Sequence, residues 1–473
     1  MLCLIKKMKI TLKSKPNLYF WLIAFVFFIL KLTQIQFKFS DGYLYMYMAK
    51  AVLEGIVPYK DFFFASPPLQ IYLIAIIKFF TGNNLLLLKL IPIFATLGSA
   101  FFIFKFMQKK FGNLEGIVAS TLYLFSFLIL LTTDYMTGIH LTTFFIFGMI
   151  YFLEFDSPFI AGIFASFALL TRLYAPFPIA GALVYLWIYK KKQILKFLGG
   201  TSIFFIPASL FFDAISSGGY LNQIFFFRLK LISGIGLSKF SVISFFILGD
   251  LFLILGSTLY IFFDKEKKKL ALPILATLFS IILYLVYSDI YYLYFGLIIG
   301  FLAIFTTKII FEFKDLKSFK KVLGIILIFV VLINSLIYVT NYGSTSNIPF
   351  HKDISDFVKN NSLDNETISG SFEIAHLVAL ESGRNLAGNL IDTNPKNIIT
   401  NEFKISDVVE KINGVRFMIV KGYLLQNGEL INVDQSIPMD FIKQNCKEIK
   451  RYTVVNDLNG ANAVMVYDCK KKN

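Results

Sequence analysis

Apolar runs of membrane length alternate with short polar or basic breaks over the first 340 residues, and this alternation predicts a bundle of transmembrane helices. With a cytoplasmic start, the first span covers 17–33 and leads out to a polar stretch at 34–84. The second, 85–106, returns to Lys109-Lys110, and the third, 114–131, leads out to Thr133-Asp134. The fourth, 139–153, returns to the turn Glu154–Ser157, the fifth, 158–171, leads out at Arg172, and the sixth returns to Lys190-Lys191-Lys192. The seventh, 195–212, opens into a long loop, Asp213–Phe240. The eighth returns to Lys265–Lys269, the ninth leads out near Ser288-Asp289, the tenth returns to Lys308–Lys321, and the eleventh, 322–340, leaves the C-terminus outside. Each substantial basic cluster then falls on the cytoplasmic side, as the positive-inside rule requires.

The pattern changes after Asn341. A polar linker, 341–349, leads to a mixed, soluble-looking segment, 350–473. There the periodicity predicts helices at Asp353–Asn361, Ile374–Ser382 and Ile405–Ile412. Strands are predicted at Thr367–Ser371 and Arg416–Val420, and a terminal hairpin, Glu448–Val455 with Ala463–Tyr467, around the turn Asn456–Gly460. The expected fold class is a polytopic α-helical membrane protein of about eleven spans with a small C-terminal extracytoplasmic α/β domain. Its parts are a cytoplasmic tail at 1–16, a membrane domain at 17–340, the linker, and the outer domain at 350–473.

Composition agrees. Of 473 residues, 56% are hydrophobic and 17% aromatic, too apolar for a soluble chain of this size. The net charge of +16 lies in clusters between apolar runs, which reads as membrane topology and not as nucleic-acid binding. The basic start runs into apolar residues 18–32 without a small-residue cleavage site, so this segment is expected to stay as a signal anchor. Cys3 falls in the cytoplasmic tail. Cys446 and Cys469 lie almost symmetrically about the terminal turn, and two readings stand: a cross-strand disulfide in an oxidising outer compartment, or two unpaired thiols.

Most of the polar chemistry of the first half sits in Ser40–Tyr72. It reads as a short amphipathic helix after Asp41, a turn from Gly55 to Pro58, an extended aromatic passage, and a second helix opened by Pro67 or Pro68. Such helices suit a membrane surface, where a carboxylate meets a lipid head group. Asp41 serves there as a helix N-cap or as a general base, and the two roles are compatible. A leaving phosphate needs cationic donors. Arg172, at the outer end of a span, is the first candidate, with Lys60, Arg228 and Lys230 as alternates. The loop around 216–240 is either a cover over lipid and acceptor or an ordinary interfacial segment. Asp61 and Asp134 are expected on the same face as Asp41, where either positions an acceptor or shares a divalent cation, Mg or Mn, with it. Their plain readings are a turn residue and a solvated loop carboxylate. His140 stands without a matched partner, and no strong metal motif appears.

The first loop resembles that of the GT-C class of membrane glycosyltransferases, which includes protein O-mannosyltransferases and the aminoarabinose and polyprenyl-phosphosugar transferases. The residues that carry the likeness are Asp41 just after the first span, Tyr45 four residues on, the turn Gly55-Ile56-Val57-Pro58-Tyr59-Lys60-Asp61, and the junction Pro67-Pro68-Leu69. Weaker echoes are Leu170-Thr171-Arg172 and Tyr291-Tyr292-Leu293. Many relatives have Asp-Glu where this chain has Asp41-Gly42, and a basic residue where it has Ser66. The resemblance implies a transferase that moves a sugar from a polyprenyl phosphate to a hydroxyl of a glycan, protein or lipid acceptor on the outer face. Asp41 would be the base, and Tyr45, Tyr59, Lys60, Asp61, Pro67, Pro68, Asp134, Arg172 and Arg228 would hold substrate or lipid phosphate. Inversion is expected, because a single displacement needs no enzyme nucleophile. A flippase or transporter predicts charged or broken mid-bilayer helices and repeats, whereas the span interiors read as nearly free of charge and unrepeated, which argues against it. A non-catalytic binding protein of the same fold is the other alternative.

Overall fold

The computed structural model describes residues 16–227, 239–264, 266–287, 290–312, 329–342, 348–394, 397–398, 400, 402–424, 430–432, 437–454 and 461–470. Among them, five helices are long and apolar enough to cross a membrane: Pro16–Thr33, Leu85–Lys110, Lys191–Ile215, Lys267–Val286 and Tyr292–Glu312. Lys239–Gly249 and Leu251–Phe263 make a sixth if they cross as one, although they bend by 86° at Asp250. Ile139–Glu154, Pro158–Leu169 and Pro176–Tyr189 are apolar but only 16, 12 and 14 residues long. At about 1.5 Å per residue they fall short of a hydrocarbon core about 30 Å thick.

Among the described residues the helix boundaries follow the hydrophobic pattern with two corrections: the eighth span, expected as one helix, is bent at Asp250, and the third is broken. The single span expected at 114–131 is two helices, Asn113–Leu124 and Phe127–Thr132. The break at Phe125 and Ser126 is stabilised from a distant segment: the buried Asp250 carboxylate accepts from the backbone N–H groups of Phe127 (3.0 Å) and Leu128 (3.1 Å). Two donors that an unbroken helix would satisfy internally find this side chain instead.

Beyond Pro349 the chain forms a six-stranded sheet. The strands are β1 (Thr367–Gly370), β2 (Asn385–Leu386), β3 (Phe417–Leu424), β4 (Leu430–Asn432), β5 (Lys447–Val454) and β6 (Ala461–Asp468). Their order is β2-β1-β3-β6-β5, with β4 beside β3. The β2-β1-β3 part is parallel, and β3-β6-β5 is antiparallel with Val420 opposite Met465. Helices His351–Asn360, Ala375–Ser382 and Ile405–Ile412 match the periodicity. The short β2 and β4 and the helix Met439–Asn445 carry no period long enough to read. Cys446 and Cys469 are joined in a disulfide. The expected turn Asn456–Gly460 lies outside the described residues.

The sheet domain sits directly on Gly42–Leu53. This helix was expected to be amphipathic, yet Gly42 through Ala49 are all buried. The reason is that Tyr43, Met46 and Tyr47 share one apolar cluster with Ile354, Leu377 and Ile419 of the sheet domain. Polar ties reinforce it: the Leu386 N–H donates to the Tyr47 hydroxyl (2.8 Å) and Lys50 Nζ to Asn385 Oδ1 (2.6 Å).

His376 packs edge-on against the Tyr47 ring with centroids 5.6 Å apart. Burial pushes its pKa down to about 4, against the backbone carbonyls of Ile391 and Phe372 that face its nitrogens. Its native pKa lies below the unfolded value of about 6.5, so it contributes stability above that pH and loses it as pH falls toward 4. Thermal unfolding of the full chain in detergent is therefore expected at a lower temperature near pH 5 than at neutral pH. The His376 share amounts to up to about 3 kcal/mol, and His376→Gln should lose most of that difference.

Candidate active site

Asp41 ends the extended approach from the first helix. Its backbone is already helical and its side chain makes no capping bond, so the N-cap reading does not hold. Its carbonyl accepts from the Tyr45 N–H (3.3 Å), which sets Tyr45 one turn along on the same side. Gly42 has a steric cause: a Cβ there would meet Ser40 Oγ at 3.2 Å and Met136 Cβ at 3.3 Å. A glutamate at this position would press on the loop that carries Asp134.

Arg172 joins three distant segments. Its Nη2 donates to the Tyr45 hydroxyl (3.0 Å) and its Nη1 to Ser66 Oγ (3.2 Å), and the guanidinium lies 5.0 Å from the Tyr45 ring centroid. The side chain is only 8% exposed, so it is a buried group with fixed partners, unlike a snorkelling anchor. Next to it, the Leu69 N–H donates to Leu170 O (2.9 Å), which fastens the Pro67-Pro68 junction to the Arg172 turn. Pro68 is the residue that opens Leu69–Thr81, as expected of a proline there.

Two buried polar atoms have no protein partner at this spot, Arg172 Nε and Gln70 Oε1. Both adjoin Gly138, whose φ is +75°; a Cβ there would lie 3.2 Å from Nε and 2.4 Å from Oε1. An unpaired donor and acceptor buried side by side suit polar ligand atoms. Gln70 Nε2 is held by Met136 O (2.9 Å).

Tyr59 supports the site from below. It adopts a left-handed φ of +68°, unusual for a tyrosine, and its hydroxyl donates to Ser66 O (2.7 Å). Gln223 locks it in place, donating to Tyr59 O (2.9 Å) while its Oε1 accepts from the Phe64 N–H (2.8 Å). Tyr220 packs edge-on against the same ring at 5.0 Å. Asp61 has the plain role considered for it: its exposed carboxylate accepts from the Val57 N–H (2.7 Å) and closes the turn. Lys60 is exposed beside it. Arg228 and Lys230 lie outside the described residues.

Asp134 is not a solvated loop carboxylate. It is 4% exposed and paired with Lys31 Nζ on Oδ1 (3.1 Å) and Lys38 Nζ on Oδ2 (3.7 Å). Lys31 Nζ also donates to Leu130 O and to the Tyr338 hydroxyl, both at 2.7 Å. The buried Lys89 lies in the same electrostatic neighbourhood. His140 Nδ1 bonds Thr96 Oγ1 (3.0 Å), a structural role. Sequence reading missed Ser66, Gln70, Gln223, Lys31 and Lys38 as partners. Lys31, an ionisable residue inside an apolar run, was the one readable signal.

No protein-family model matches the sequence, and no curated protein matches it. Solved structures do match. ArnT from Cupriavidus metallidurans bound to undecaprenyl phosphate superposes with a TM-score of 0.67 at 11% identity, over 94% of this chain and 97% of that one. The archaeal oligosaccharyltransferase AglB from Archaeoglobus fulgidus, in complex with an inhibitory peptide and a dolichol-phosphate, gives 0.57 at 10% identity, over 90% and 75%. The Archaeoglobus fulgidus oligosaccharyltransferase in complex with Zn and sulfate gives 0.55 at 12%, over 89% and 74%.

The fold is that of the GT-C membrane glycosyltransferases. With its apolar helices, this makes the chain a multi-pass membrane protein. The zinc seen in one of these structures raises the question of a metal here. Asp134, expected to share such an ion with Asp41, has an ammonium group on each oxygen. Among the described residues no group of three His, Cys, Asp or Glu side chains is placed to hold a metal ion. The residues do not fit a divalent cation at Asp134.

Gly138→Ala puts a methyl onto Gln70 Oε1 and forces a left-handed φ on alanine. It should destabilise the protein by roughly 1–3 kcal/mol, read as a lower unfolding temperature in detergent.

Proposed function

We propose that the protein is a glycosyltransferase that moves a sugar from a polyprenyl phosphate to an acceptor hydroxyl at the extracytoplasmic face. The proposed layout is a cytoplasmic N-terminus, eleven crossings, and the sheet domain outside. The observation that carries the reading is the Arg172 guanidinium. It is buried, bonded to Tyr45 and Ser66 at the mouth of the Asp41 loop, and keeps an unpartnered Nε–H next to Gln70. A buried cation with spare donors is what a leaving phosphate requires. The GT-C fold and the lipid phosphates bound by ArnT and AglB support it.

Asp41, one helical turn before Tyr45, is the general base. It takes the proton from the acceptor hydroxyl, whose oxygen forms the new bond to the anomeric carbon as the bond to the phosphate oxygen breaks. The bonding pair leaves with the lipid phosphate, whose charge Arg172 offsets. Tyr45 and Ser66 hold the guanidinium in place, Tyr59 holds Ser66 through its backbone, and Pro67-Pro68 fix the chain direction into Leu69–Thr81. With no enzyme nucleophile in the sequence of events, the anomeric configuration inverts.

Reconstituted protein offered a panel of polyprenyl-phosphate sugars and acceptor mixtures should consume at least one donor. Asp41→Asn should slow that consumption by about 10²–10⁴-fold while still binding donor. Arg172→Met should weaken binding of undecaprenyl phosphate by about 10–100-fold, measured by equilibrium binding in nanodiscs. Donor consumption unaffected by Asp41→Asn would sink the assignment of the base.

A further inference from the structure

Lys31 donates its three ammonium hydrogens to three buried acceptors: Leu130 O, Asp134 Oδ1 and the Tyr338 hydroxyl. A lysine has three such donors and no more, so this group is saturated and fixed. Lys38 covers the other carboxylate oxygen, and both lysines are buried, at 0% and 3% exposure. Each oxygen of the Asp134 carboxylate thus has a buried ammonium partner. A divalent cation approaching Asp134 would meet these two ammonium groups and would have to strip a buried one of its carboxylate.

We propose that the Lys31 and Lys38 ammonium groups take the place of a divalent cation on Asp134. The site then binds its lipid phosphate and works without metal, with Asp134 as a positioning residue. The inference rests on the transferase reading for what the site does, but its electrostatic content stands on the ion pairs alone. The two ammonium groups then supply the fixed positive charge that a metal on Asp134 would supply. The loop from Asp134 to Gly138 carries the connection. Met136 O holds Gln70, and Gly138 abuts both Gln70 Oε1 and Arg172 Nε, so the lysine cage and the Arg172 site are two ends of one short segment.

The test uses the full chain in nanodiscs, stripped with EDTA. Titration with Mn²⁺ and with Zn²⁺ should show no one-to-one binding at micromolar concentrations, and undecaprenyl phosphate should bind equally, within about twofold, with EDTA or with added Mn²⁺. A one-to-one micromolar cation that Asp134→Asn removes would overturn the inference, as would lipid-phosphate binding that EDTA abolishes. Because the cation titration needs no turnover, a protein that binds no cation and consumes no donor would support the inference while telling against the transferase reading.

Discussion

The ammonium of Lys31 ties the first helix to the segment Leu130–Asp134 and to Tyr338 of the last apolar helix, with every one of its hydrogens in use. Such a group must be fully paired, because an unpaired charge away from water costs several kcal/mol. Segments more than a hundred residues apart in sequence therefore meet at one point, on the side of the helices where Asp41 and Arg172 also lie. Arg172 repeats the arrangement with Tyr45 and Ser66. Arg172 thereby fastens the first loop to the turn that follows Leu170.

The sheet domain completes the enclosure. It buries the helix after Asp41 on the side that would otherwise face water, and Lys421, ion-paired with Glu373, lies 4.4 Å from the Phe39 ring centroid just before Asp41. Phe403 packs edge-on against Phe63 with centroids 5.7 Å apart. Excluding water in this way strengthens every charge interaction beneath it. The domain is thus part of the wall around the loop, in contact with residues on both sides of Asp41.

The pieces legible in advance were local. Apolar runs of 16 to 26 residues mark helices wherever they occur, and Pro67-Pro68 marks a helix start because proline lacks an N–H that the first turn has no use for. The likeness carried by Asp41, Tyr45 and the Gly55–Asp61 turn pointed to the fold found. The pieces out of reach were partners. Asp134 was left open between a working group and a solvated loop carboxylate because Lys31, which pairs with it, lies 103 positions away. At Asp61 a turn carboxylate and a ligand carboxylate are the same letter, and only the structure shows it closing the turn through the Val57 N–H. Ser66 stands where many relatives have a basic residue, and in the structure its Oγ accepts from Arg172, 106 residues on.

By itself, the sequence determined that this chain is a multi-pass membrane protein, where most of its helices run, and that its polar residues are concentrated after the first of them. Hydrophobic burial and backbone hydrogen bonding act on neighbours in the chain, and their period is visible in one dimension. Only the tertiary structure decided which charge answers which: that Arg172 serves the first loop, that Asp134 is closed by two lysines, and that the sheet domain covers Gly42–Leu53. Those choices depend on distances between segments remote in sequence and on the energy of burying unpaired charge, and neither quantity leaves a period to read.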